Sequence, residues 1–175
     1  MANDLLEAAL YYAGRGWHVF PVHRADSGRC SCGRPCGKSA GKHPRTRHGH
    51  KDASTDPRQI LAWWAKWPDA NIGIATGHVS GIYVLDVDGD EGFATLRAMV
   101  EENVPLKWTP MVRTSRGFHL YYRLLDPDPI DCSTGNGLDI RADGGYVIAP
   151  PSVHPTGFVY AWTPESLRAR WINVH

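Results

Sequence analysis

The chain has 175 residues, 42% apolar and 21% charged, a composition that supplies a buried core and excludes a disordered chain. No apolar run approaches the roughly 18 residues of a membrane span, and the N-terminus lacks a basic-then-apolar secretory pattern, so a membrane protein is excluded and a cytoplasmic location is expected. The net charge of +1 hides an uneven distribution: residues 21–51 carry eight Lys or Arg against one acid, and the rest of the chain is net acidic.

Residues 3–13 predict an amphipathic helix, with Asn3 as cap, Leu5, Leu6, Ala9 and Tyr12 on one face, and Gly14 at its end. Residues 17–22 read as a first strand. The basic segment follows, and it is read as a footprint for polyanions, with a solvated mobile loop as the plainer alternative. It contains Cys30-Ser-Cys32-x3-Cys36 and then His43, while Cys132 stands alone. Three soft thiolates and an imidazole suit tetrahedral zinc in a structural role. His48, His50 and Cys132 are alternative fourth ligands, and free thiols are the alternative to any metal. Structural disulfides are disfavoured in a chain without a secretion signal. Gly37-Lys38-Ser39 and Gly41-Lys42 do not form a P-loop, because Cys32 and Cys36 occupy the places where its first Gly is required.

Thr55-Asp56-Pro57 offers a cap and a first helical Pro, and Ile60, Leu61, Trp64 and Trp67 follow at helical spacing as a core stripe that Pro68 ends. Residues 71–75 and 82–87 read as neighbouring strands, 91–102 as a helix, and 111–113 with 118–123 as a hairpin turning at Thr114-Ser-Arg-Gly117. The Pro-rich stretch 126–130 is a loop, and residues 138–141, 146–149 and 158–162 are short strands. This order of elements gives an α+β fold with a mainly antiparallel sheet, in one domain spanning residues 1–175.

Asp86 and Asp88 end an apolar strand two residues apart, so both carboxylates project from one face. Like charges so close are costly without a cation between them, and oxygen ligands select Mg2+ or Mn2+. A calcium loop does not fit, because its twelfth position, counted from Asp86, is Arg97 rather than Glu. In the segment 114–120, the hydroxyls of Thr114 and Ser115, the guanidinium of Arg116, the Gly117 backbone and the imidazole of His119 cluster around one turn, as groups that grip phosphate oxygens do. Asp139 and Arg141 share a strand face and add a third carboxylate beside a cation.

Taken in order, Cys30-Ser-Cys32 with Gly41-Lys-His-Pro44, Asn71-Ile-Gly-Ile-Ala-Thr-Gly77, Val84-Leu-Asp-Val-Asp88, Ser115-Arg-Gly-Phe-His119, Leu138-Asp-Ile-Arg141 and Tyr146-Val-Ile-Ala-Pro-Pro-Ser152 form a set. That set resembles the N-terminal domain of bifunctional DNA primase-polymerases, a phage- and plasmid-type family of the archaeo-eukaryotic primase superfamily. The resemblance runs from about residue 5 to residue 162, with one departure: Arg116 stands where the family often has a second Gly.

The resemblance implies an archaeo-eukaryotic primase-like catalytic core, in which an RRM-like module and an N-terminal α/β module share one cleft. Residues of about 23–51 would form the basic zinc-binding loop, and about 71–162 would carry the catalytic motifs. It further implies that Asp86, Asp88 and Asp139 hold two divalent metals, Mg2+ or Mn2+, and that His119 contacts the phosphates of the incoming dNTP or NTP. Ser115, Arg116 and Arg141 would add donors to those phosphates. Thr76 and Gly77 are candidates for close backbone approach to nucleotide or template, and Pro150-Pro151-Ser152 for the cleft wall. Lys38, Lys42, Arg45 and Arg47, with Arg24, Arg29, Arg34 and Lys51, would attract the phosphates of single-stranded DNA template and primer. The family usually continues into a helicase region, so the chain is expected to be an excised catalytic piece or to work with a helicase partner. The expected activity is template-dependent nucleotidyl transfer; a metal-dependent nuclease and a zinc-stabilised single-stranded DNA-binding module without catalysis are the competing readings.

Overall fold

The computed structural model describes residues 2–26, 28–104, 107–125 and 127–168. Helix α1 (Ala2–Ala13) presents Leu5, Ala9 and Tyr12 to the core, as its apolar spacing requires, and the Gly14 amide closes its last turn on the Leu10 carbonyl at 2.9 Å. The side chain of the expected cap, Asn3, lies outside the described residues. Strand β1 (Val19–Val22) is buried along its whole length, and it starts two residues later than predicted because Trp17 still belongs to the turn, its amide bonded to the Tyr12 carbonyl. The basic segment follows as a two-stranded ribbon, β2 (Ala25–Asp26) with β3 (Arg29–Cys30), and two short 3-10 turns at Gly37–Ser39 and Gly49–Asp52.

Helix α2 (Pro57–Lys66) begins as predicted: Asp56 accepts the Arg58 amide at 2.9 Å, and Pro57 fills the first position, where no amide partner is needed. Ile60 and Trp64 are buried, but Leu61 is 48% exposed, so the core stripe is narrower than the sequence suggests. The remaining elements are β4 (Asn71–Ala75), β5 (Ile82–Asp88), α3 (Gly89–Glu101), β6 (Met111–Arg113), β7 (Gly117–Arg123), β8 (Leu138–Arg141), β9 (Tyr146–Ala149), β10 (Ala161–Trp162) and α4 (Pro164–Arg168). The predicted strand 158–162 shortens to β10, because the His154 amide bonds the Phe158 carbonyl and closes a turn. Residue 126 of the Pro-rich stretch lies outside the described residues, and 127–130 form no helix or strand.

The architecture is mixed α and β with antiparallel sheets. One sheet has the order β1-β4-β9 and a larger one the order β10-β6-β7-β5-β8. The main core joins α1, α2 and the small sheet to one face of the large sheet through Ile82, Val84, Val112 and Tyr121. Complete burial of a side chain such as Val84 or Val112 contributes roughly 1.5–3 kcal/mol. The opposite face, carrying Leu85, Val87 and Leu120, is covered by Phe93 and Leu96 of α3. Because alternate strand residues face opposite sides, the face that carries Ile82 and Val84 in the core carries Asp86 and Asp88 where the core ends. No helix among the described residues is long and apolar enough to cross a membrane.

Candidate active site

The register of β5 sets the site. Asp86 pairs with His119 of β7 on one side and with Asp139 of β8 on the other, and directly opposed residues share a sheet face. Asp88 follows two residues on, opposite Gly117. A side-chain Cβ at position 117 would run into the Val87 carbonyl, so only Gly lets β7 pair at this point and lets the preceding turn fold over Asp88. That turn is closed by the Thr114 amide on the Gly117 carbonyl at 3.0 Å and by the Gly117 amide on Thr114 Oγ1 at 3.0 Å. The Gly89 amide bonds the Arg116 carbonyl at 3.2 Å and ties the turn to the start of α3.

A cleft of about 450 Å³ opens over this corner between the two larger sheets. It gathers Asp86, Asp88, Asp139, His119, Ser115, Arg116 and Arg141 in one place. Arg116 is ion-paired with Asp88, and Arg141 binds Asp139 at 2.6 Å and reaches Asp86 at 4.0 Å. His119 is buried with Nε2 at 3.5 Å from Asp86 Oδ1, and its Nδ1 has no hydrogen-bond partner among the described residues. Burial, with the nearby charges of Arg141 and Lys42, pulls its pKa down to about 3, so the ring is neutral near pH 7.

Burial pushes the Asp86 carboxyl up to about 6; Arg141 and Lys42 oppose the rise, and Asp88 and Asp139 add to it. A folded-state pKa above the ordinary 3.8 means the folded chain holds this proton more tightly, so its contribution to stability is present below pH 3.8 and is lost as pH rises through about 6. Ionised Asp86 therefore costs the ligand-free protein roughly 1–3 kcal/mol at pH 7.5. Asp86→Asn is expected to raise the melting temperature at pH 7.5, with the difference from the native chain shrinking as pH falls toward 5. Paired thermal melts across that range check it, and an asparagine variant less stable than the native chain at pH 7.5 contradicts it.

The Cys-rich segment makes a second constellation. The ligand atoms of Cys30, Cys32, Cys36 and His43 all lie within 4.8 Å of one another, and this is the one such group among the described residues. Cys30 Sγ and Cys36 Sγ lie 3.2 and 3.4 Å from His43 Nε2, and Cys32 Sγ lies 3.2 Å from Cys36 Sγ. The Cys32–Cys36 contact pushes the Cys36 thiol up to about 12, and the Arg34 backbone together with that contact pulls the Cys32 thiol down, so the two thiols do not ionise independently. His43 supplies the fourth group. His48 instead bonds Asp52 at 2.8 Å, the His50 ring stacks on Tyr146, and Cys132 lines the carboxylate cleft.

Some sequence-predicted residues are not brought to the cleft. Thr76 is buried, its hydroxyl donating to the Ala142 carbonyl at 2.7 Å, and Gly77 takes φ +89° against Asp143, where a Cβ would collide. Both serve the contact between the ends of β4 and β8. The Ser152 hydroxyl is buried behind β4, accepting the Ile72 amide at 2.8 Å, and does not form the cleft wall. Lys38 and Arg47 are exposed on the basic segment, while Arg45 lies against Trp67 and pairs with Asp69 at 3.3 Å.

Other cleft residues escape sequence reasoning. Lys42 lines the cleft beside the carboxylates rather than standing with the exposed cations, and Tyr146 and Tyr160 form part of the wall. A tyrosine in an alternating strand carries no local mark of facing a polar cleft; the Gly-Lys-His-Pro motif around Lys42 was the one available signal.

A family model described as bifunctional DNA primase/polymerase, N-terminal, matches residues 9–173. No curated protein matches the chain significantly.

Proposed function

The chain belongs to the bifunctional DNA primase/polymerase N-terminal family, and from that premise we propose that it is a template-dependent nucleotidyltransferase. It joins nucleoside triphosphates to a 3′-hydroxyl in DNA replication, with residues 1–175 acting as one catalytic domain. The observation that carries this reading is the register that flanks Asp86 with Asp139 and His119 and sets Asp88 two residues along the same face. The carboxylate oxygens are hard ligands of the kind Mg2+ and Mn2+ take, and burial together with the neighbouring Asp88 and Asp139 makes an ionised Asp86 costly without a bound cation. Three such carboxylates lining one cleft could hold the pair of divalent ions that two-metal phosphoryl transfer uses. When bound, such ions lower the pKa of the attacking hydroxyl and neutralise the triphosphate.

The chain's own residues do the rest. Asp86, Asp88 and Asp139 hold the ions. His119, neutral and buried, donates Nε2–H to a phosphate oxygen, a hydrogen bond that it makes without bringing a second full charge into the core. Ser115 offers a hydroxyl at the same turn. The guanidiniums of Arg116 and Arg141, engaged with Asp88 and Asp139 in the ligand-free protein, exchange a carboxylate for phosphate oxygens as nucleotide binds.

The three thiolates and His43 would hold zinc in a closed structural site, their ligand atoms all lying within 4.8 Å of one another. Around that site Arg29, Arg34, Lys38, Arg47 and Lys51 are exposed and attract template and primer phosphates, an attraction that weakens with salt.

The test is incorporation of labelled dNTP on a primed single-stranded template with Mg2+ or Mn2+. Incorporation that stops on chelation is the expected result. Shortening of the primer in place of growth would identify a nuclease and overturn the reading.

A further inference from the structure

The backbone of residues 41–43 is gripped from several directions. The Gly41 amide donates to Cys30 Sγ at 3.5 Å, and the Gly41 carbonyl accepts from Asn71 Nδ2 at 3.3 Å. The Lys42 carbonyl accepts the Tyr146 hydroxyl at 3.0 Å, and the His43 carbonyl accepts the His23 amide at 2.9 Å. Gly41 takes φ +66°, and a Cβ there would come within 2.7 Å of the Ala25 amide nitrogen, so the crossing admits no side chain at that point. Successive side chains then part company. His43 enters the cysteine cluster, and Lys42 enters the carboxylate cleft.

Lys42 differs from the other two cations that line this cleft. Arg116 and Arg141 are ion-paired with Asp88 and Asp139, whereas the Lys42 ammonium has no carboxylate within 4.0 Å among the described residues. It differs also from Lys38, Arg47 and Lys51, which are exposed, while Lys42 is half-buried. A half-buried, unpaired ammonium is unfavourable until a ligand brings negative charge to it, and Lys is a standard point-charge partner for phosphate.

Resting on the nucleotidyltransferase reading, we propose that Lys42 binds the triphosphate of the incoming nucleotide, and that the Tyr146 hydroxyl positions it by holding its carbonyl. Lys42 thereby moves from the surface that meets DNA to the pocket that meets nucleotide. The Cys/His loop becomes a device that delivers a cation to the catalytic cleft.

The test uses the full chain, a non-hydrolysable dNTP analogue with Mg2+, and a fluorescent single-stranded oligonucleotide. Lys42→Ala should weaken analogue binding by about tenfold to a hundredfold, in line with loss of a charge-assisted contact, and raise the nucleotide KM more than it lowers kcat. Oligonucleotide affinity and its salt dependence should not change, and Lys42→Arg should recover most of the analogue affinity. Tyr146→Phe should weaken the analogue less, and the double variant Lys42→Ala with Tyr146→Phe should be no weaker than Lys42→Ala alone. Lys42→Ala that leaves analogue affinity within twofold, or that weakens the oligonucleotide instead, overturns the assignment of Lys42 and leaves the proposed activity standing. A native chain that binds no analogue at all overturns both.

Discussion

Asp86→Ala and Asp88→Ala should each reduce primer extension by at least about a thousandfold, the scale on which removal of a group that stabilises developing charge acts. Asp86 sits between Asp139 and His119 in the sheet register, so its loss removes the central carboxylate of the site. Loss of Asp88 frees the guanidinium of Arg116, leaving a positive charge where an ion is to bind. Neither change should unfold the chain, because β5 is held by the buried Val84 and Val87 and both carboxylates lie where the core has ended. Single-turnover extension rates, with far-UV circular dichroism as a fold control, give the result. Near-normal extension by either variant would remove the carboxylates from the chemistry.

Cys36→Ser should release bound zinc and lower the melting temperature by about 10 °C, a loss of roughly 3–5 kcal/mol for a chain of this size. The segment from Cys30 to His43 has only a small apolar cluster of its own, Ala25, Cys30 and Ala40, with Cys32 and Cys36 against it. Beyond the hydrogen bonds that hold residues 41–43, its order is expected to come from the four ligands. Metal analysis of the native protein and of the variant checks the first half, and thermal melts check the second. Native protein purified without zinc, and unchanged in stability after Cys36→Ser, would contradict it.

The local alternation in Ile82–Asp88 and in Gly117–Arg123 made the chemistry of the cleft legible, because a period of two puts Asp86 with Asp88 and His119 with Tyr121. The cleft does gather Asp86, Asp88 and His119, while Tyr121 is buried in the core behind them. Register is another matter: that Asp86 is flanked by His119 and Asp139 depends on pairings across long stretches of chain, for which no local pattern exists. Thr76 and Gly77 are by sequence candidates for close backbone approach to nucleotide or template, and the close approach Gly77 makes in the fold is to Asp143, after a chain separation no local pattern reveals. Lys42 was grouped with the basic run by sequence position, yet its placement is decided by Asn71 and Tyr146, 30 residues from Gly41 and 104 residues from Lys42. Leu61 failed for a simpler reason: α2 presents a narrow apolar face, and a residue beside Ile60 on a helix turns away from it.

The most direct measurement is single-nucleotide incorporation on four primed templates that differ in the first unpaired base, with Mg2+ or Mn2+ and one dNTP at a time. A template-dependent nucleotidyltransferase adds the complementary nucleotide to each template and adds the others far more slowly. Addition that ignores the template base, or no addition under any of the sixteen combinations of dNTP and template, would contradict the function proposed for the Asp86 cleft.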